Sequence, residues 1–133
     1  MQSAMHKTIL MMLLAALSGS AMAEWVKVGT SETDTLYIDP GIRWTDSNTS
    51  KMWALNDFNE IQRVGEREPF KSEKVEHEYD CKRPQVRMLY FTSHTENMAG
   101  GDIVDFNAAP SEWVQVTPNT GQEELWKIAC GKA

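Results

Sequence analysis

The chain has 133 residues, 41% of them hydrophobic and 24% charged, with a formal net charge of −6; this fits one domain with one core. Twelve of the thirteen Lys and Arg and all nineteen acids follow residue 23, so the segment from Glu24 onward carries a net charge of −7. That surplus excludes nucleic acid and anionic lipid as partners, because both are held by Lys and Arg neutralising phosphates.

The N-terminal segment carries His6 and Lys7, an apolar run from Ile9 to Leu17, then Ser18-Gly19-Ser20 and Ala21-Met22-Ala23. A positive start, a short apolar centre and an A-x-A ending predict a secretory signal over residues 1–23, cleaved after Ala23 to leave Glu24 as the new N-terminus. The apolar centre is shorter than the about 20 residues a spanning helix needs, so no permanent membrane anchor is expected. Lipid attachment is not expected either, since no Cys lies near the cleavage point. The mature domain is expected over 24–133, in the periplasm, at the cell surface or secreted.

Beyond the leader, short alternating runs between turn residues predict an antiparallel sheet. The strands expected are 25–28, then 35–39, stopped by Pro40-Gly41, then 51–58 after the polar cluster Asp46-Ser47-Asn48-Thr49. Residues 59–69 are charged and lack periodicity, and read as a mobile connection. The longest alternation runs from Lys71 to Cys81. It puts Val75, His77, Tyr79 and Cys81 on one face and Glu76, Glu78 and Asp80 on the other, the latter solvated and paired with Lys71, Lys74 and Arg87. Lys82-Arg83-Pro84 turns the chain into a return strand over 85–94. A loop ending in Gly100-Gly101 leads to a sixth strand over 102–106, and residues 113–116 read as a further strand or an extended edge.

The C-terminus changes period. Leu125, Ile128 and Ala129 share one face of a helix, Thr120 and Glu123 have capping-box spacing, and Gly131 is placed to stop it. An even cysteine count in an exported chain predicts a disulfide between Cys81 and Cys130, the alternative being two free thiols. A loop of that length stabilises by about 4 kcal/mol on the chain-entropy model. The fold expected is therefore α+β: one antiparallel sheet of about six strands with a C-terminal helix tethered to it by the disulfide.

Little in the chain points to catalysis. There is no G-x-S-x-G or S-x-x-K, and Gly100-Gly101 lacks the surroundings of a phosphate loop. His77 and His94 fall at distant points of one hairpin, which favours packing over metal binding. No acidic run has the spacing of a calcium loop. Neither an enzyme nor a cofactor is implied. Of the five tryptophans, about three are expected in the core, with Trp44, beside a polar turn, the one expected to be exposed. Lys82 and Arg83, with Arg87 near, form a basic tip on an acidic molecule, where a rigid hairpin would present binding residues.

Trp25-Val26, Tyr37-Ile38-Asp39-Pro40, Lys51-Met52-Trp53, Glu78-Tyr79-Asp80-Cys81, Gly100-Gly101, Trp113-Val114-Gln115-Val116 with Pro118, and Leu125-Trp126 before Cys130 together resemble the surface-adhesin protein E family of proteobacteria. The resemblance covers nearly all of the mature chain. It implies an antiparallel sheet of about six strands with a C-terminal helix. It also implies binding to host matrix and serum glycoproteins such as laminin and vitronectin, and a capacity to dimerise. The function expected is an exported, non-enzymatic, adhesin-like protein that recognises a protein partner, the alternative being a periplasmic structural or accessory envelope protein with no host ligand.

Overall fold

The computed structural model describes residues 24–132; the expected leader, with Ala21 and Ala23, lies outside them. Eight strands follow in chain order: β1 (Val26–Thr30), β2 (Asp34–Ile38), β3 (Arg43–Trp44), β4 (Thr49–Gln62), β5 (Phe70–Asp80), β6 (Gln85–His94), β7 (Ile103–Asn107) and β8 (Val114–Gln115). A 3₁₀ turn (Asn97–Ala99) precedes β7, and one helix, α1 (Gly121–Ala129), closes the chain. All pairs are antiparallel, in the order β1-β2-β4-β5-β6-β7, with β3 extending the flank of β4 and β8 that of β6. Six long strands, a terminal helix and a Cys81–Cys130 disulfide (Cα–Cα 5.6 Å) give the α+β architecture read from the sequence.

Register decides which residues meet. Met52 faces His77 and Met88, Ala54 faces Val75 and Phe91, and Asn56 faces Glu73 and Ser93; these rows share the face that carries α1. Glu76 pairs with Tyr90 while His77 pairs with Met88, so Leu89 is an extra residue in β6. The bulge switches the alternation of β6: Val86 and Met88 face the helix before it, Phe91 and Ser93 after it.

The helix covers the disulfide end of its face. Leu125, Ala129 and Cys130 pack with Ile38, Met52, Ala54, Tyr79, Val86 and Val116 into the core. Two polar contacts fix its height: Ser50 Oγ donates to the Ala129 carbonyl at 2.8 Å, and Trp126 Nε1 donates to the Asp80 carbonyl at 2.8 Å. The Thr120 hydroxyl accepts from Glu123 N–H as a capping box requires. The Glu123 carboxylate, however, accepts from Asn119 N–H, one residue before the N-cap. At the other end Gly131, at φ +64°, and Lys132 donate back to Ile128 and Lys127, a Schellman closure for which glycine supplies the left-handed residue.

Two expectations need correction. Residues 59–69 are not a loose connection. β4 continues through Gln62, and Arg67 in the following turn donates to Asp105 (2.9 Å), Glu73 (3.2 Å) and Ser93 (2.9 Å). Its guanidinium also lies over the rings of Phe70 and Phe91, so the turn is riveted to three strands. Nor do the tryptophans fill the core. Trp25, Trp53, Trp113 and Trp126 are half-buried and Trp44 is 52% exposed. Three of them lie under cations: Lys74 over Trp53, Arg87 over Trp113 and Lys132 over Trp126. The indole is large and its N–H polar, so a flank beneath a long cation suits it better than a thin core.

Candidate binding surface

The sheet presents two different surfaces. On the face away from α1, Arg43, Lys51, Glu78 and Arg87 stand in one row across four strands, and Trp53, Glu76 and Tyr90 in the next. Arg43 pairs with Glu76. Glu78 accepts from Arg87 Nε at 2.8 Å, and Trp53 meets Tyr90 edge-to-face at 5.7 Å between centroids. Glu78 is 8% exposed, so this row is not the solvated acidic face the alternation alone suggested. The aliphatic stems and aromatic rings of neighbouring strands shield the carboxylates, and each is held by an arginine.

The hairpin tip is built by Asp80. Its Oδ1 accepts from the N–H groups of Lys82 (3.0 Å) and Arg83 (2.9 Å), which satisfies the turn locally and leaves both side chains outward. Lys82, Arg83 and Pro84 are exposed, and Pro84 O accepts from Val116 N–H at 2.9 Å, so the tip is braced on its far side. Arg87 does not join them in solvent. It is drawn back onto Glu78 and stacks on Trp113 at 4.7 Å, where it shapes the ground behind the tip. Trp113 and Arg43 are part of this surface although the sequence reading did not single them out. The pairings that recruit them, Arg43 with Glu76 and Trp113 with Arg87, join residues far apart in the chain and leave no spacing signal.

At the same end, the Thr45–Asn48 turn is tied to the disulfide by the Cys81 N–H, which donates to Asn48 O at 2.7 Å. Asp46 accepts from the N–H groups of Asn48 (2.7 Å) and Thr49 (2.8 Å), and these bonds hold its carboxyl below the usual range. The turn follows Trp44, which is exposed as its place beside a polar cluster predicted.

The two histidines among the described residues are kept apart. His77 lies on the helix face opposite Met52; His94 pairs with Ser72 on the other face and is bonded to the Thr92 hydroxyl at 2.8 Å. Desolvation holds the His77 pKa down at about 4. Burial, helped by the charge of Lys74, lowers that of His94. Among the described residues no three His, Cys, Asp or Glu side chains gather as a metal site, and no helix is long and apolar enough to cross a membrane.

No curated protein matches the sequence. Solved structures do match its shape, several of them of protein E from Haemophilus influenzae. Its crystal form II superposes with a TM-score of 0.59 at 15% identity, covering 80% of this chain and 96% of that one. A second structure gives 0.58 at 14%, covering 80% and 93%. Protein E from a non-typeable strain gives 0.53 at 16%, covering 83% and 86%. At these identities the likeness speaks for the fold alone. The sequence itself goes further: residues 25–131 match the family model described as "Surface-adhesin protein E", and the chain belongs to that family.

Proposed function

We propose that the chain is an exported, adhesin-like domain that binds a protein partner, a host extracellular-matrix glycoprotein, through the disulfide end of its sheet. Lys82 and Arg83 make first contact, with Arg87 behind them. The observation that carries the reading is family membership over residues 25–131. In its support, two outward cations stand on a turn pre-formed by Asp80, on a molecule whose remaining charge is strongly negative. A basic tip on an acidic body orients a partner as it approaches. Export rests on the leader 1–23, with Glu24 as the first mature residue.

Protease shaving of intact cells tests the address. Release of peptides spanning 71–94, with a periplasmic marker left intact and Glu24 found as the mature N-terminus, supports surface display. Retention of the whole mature chain inside would remove host adhesion. The tip is tested by Lys82→Glu with Arg83→Glu. Binding to immobilised matrix glycoprotein should weaken about tenfold, near 1.4 kcal/mol, and unchanged binding would remove the tip from the interface.

A second reading is an envelope accessory protein that pairs with itself or with another envelope component. It is favoured by the edge strand β7, where Ile103 and Phe106 are 57% and 66% exposed, the kind of open edge that recruits another strand. Retention in the periplasm, with a dimer or a co-purifying envelope protein, would favour it over adhesion.

A further inference from the structure

α1 leaves part of its own face of the sheet uncovered. Beyond the first helical turn lies a groove of about 560 Å³, with Leu36, Ala54, Val75 and His77 in its floor and Leu125 in the helix beside it. Its size and its apolar floor with few polar groups are those of small-molecule sites. Two of the polar groups at the rim are already engaged: Gln122 accepts from Thr117 N–H at 2.9 Å, and Asp34 accepts from the Ser31 hydroxyl. His77 is different. Its Nδ1 is buried with no hydrogen-bond partner, in a row of Met52 and Met88 where an aliphatic side chain would serve the fold better.

We propose that the groove binds a small uncharged amphiphile, an apolar chain or ring lying on Leu36, Ala54 and Val75 with one hydroxyl, carbonyl or N–H group bonded to the imidazole of His77. Shape and charge both select for this class. The floor offers apolar contact but no cation to hold an anionic head. Asp34, the only charged side chain among the described residues that line the groove, repels anions. Desolvation keeps the imidazole neutral at pH 7, and a neutral ring can donate from one nitrogen and accept at the other. The site is on the opposite face from Arg87 and Trp113 and does not depend on the binding proposed for the tip.

The test uses the mature chain with N-phenyl-1-naphthylamine as a fluorescent probe, 1-decanol as an uncharged competitor and decanoate as its anionic counterpart. Probe fluorescence should saturate at one per chain, decanol should displace it, and decanoate should compete at least tenfold more weakly. In the proton spectrum the His77 imidazole signal, assigned with His77→Gln, should move on adding decanol while that of His94 stays in place. Ala54→Trp, which fills the floor, should weaken probe binding at least tenfold, whereas Lys82→Glu with Arg83→Glu should leave it unchanged. The spectrum of the unsubstituted chain decides the matter if Ala54→Trp does not fold. Non-saturable fluorescence, equal competition by decanoate, or a stationary His77 signal would overturn the proposal. So would a His77 signal that shifts with protein concentration alone, which would assign the groove to a second copy.

Discussion

His77 ties stability to pH. Its folded pKa, about 4, lies below the usual 6.5, so the unfolded chain takes up a proton in that window that the folded chain refuses. Its neutral form is therefore compatible with the fold in full above pH 6.5, and stability falls as the pH drops from there to about 4, below which both states are protonated. The shift corresponds to roughly 3 kcal/mol, a large share of what a small domain has. Urea-unfolding midpoints at pH 4, 5, 6 and 7 should show this slope, and His77→Leu should remove most of it. His94 acts in the same direction. Arg67 is the other residue on which much depends. It bonds Glu73, Ser93 and Asp105 and lies against two phenyl rings, a planar arrangement an ammonium cannot reproduce. Arg67→Ala should lower stability by about 2 kcal/mol, and Arg67→Lys should recover little of it in the same unfolding assay.

The helix depends on supports outside its own backbone. Nine residues are too short to be stable alone; α1 stands because Thr120 caps it, Gly131 closes it and Cys130 ties it to the end of β5. Cys81→Ser with Cys130→Ser should cost about 2–5 kcal/mol. Helical ellipticity should be lost at lower urea than the sheet signal in the double variant, whereas the oxidised protein should lose both together. This element was also the most legible in the sequence, because its signals are local: a period of 3.6, a cap and a terminal glycine within twelve residues. The hairpin of β5 and β6 was legible for the same reason, alternation on either side of Lys82-Arg83-Pro84. What the sequence hid depends on partners far along the chain. The length of β4 past Asp57 is set by β5, the rivet of Arg67 by β6 and β7, and the change of face in β6 by a single extra residue, Leu89. Of the binding surface, the tip cations could be read from charge and turn chemistry. The retreat of Arg87 onto Glu78 and Trp113 could not, since it needs the register of β6 and the path of the segment before β8.

For the molecule as a whole, the two faces of one sheet carry different chemistry. One is a charged and aromatic lattice that continues to a basic tip; the other is apolar beneath and beside the helix and polar at the far end, where Arg67 holds Glu73 and Ser93. The disulfide lies where the tip, the helix and the Thr45–Asn48 turn meet, so the end that would face a partner is also the most cross-braced. Four of the five tryptophans are half-buried and three lie beneath a cation. An indole senses a charge stacked upon it, so the domain carries its own optical reporter. A partner that pulls Arg87 off Trp113 alters the emission of that ring without any dye attached, and an occupant of the groove, on the far side of the sheet, leaves Trp53 and Trp113 dark to its arrival. The colour of the protein's own fluorescence can therefore tell which side has been visited.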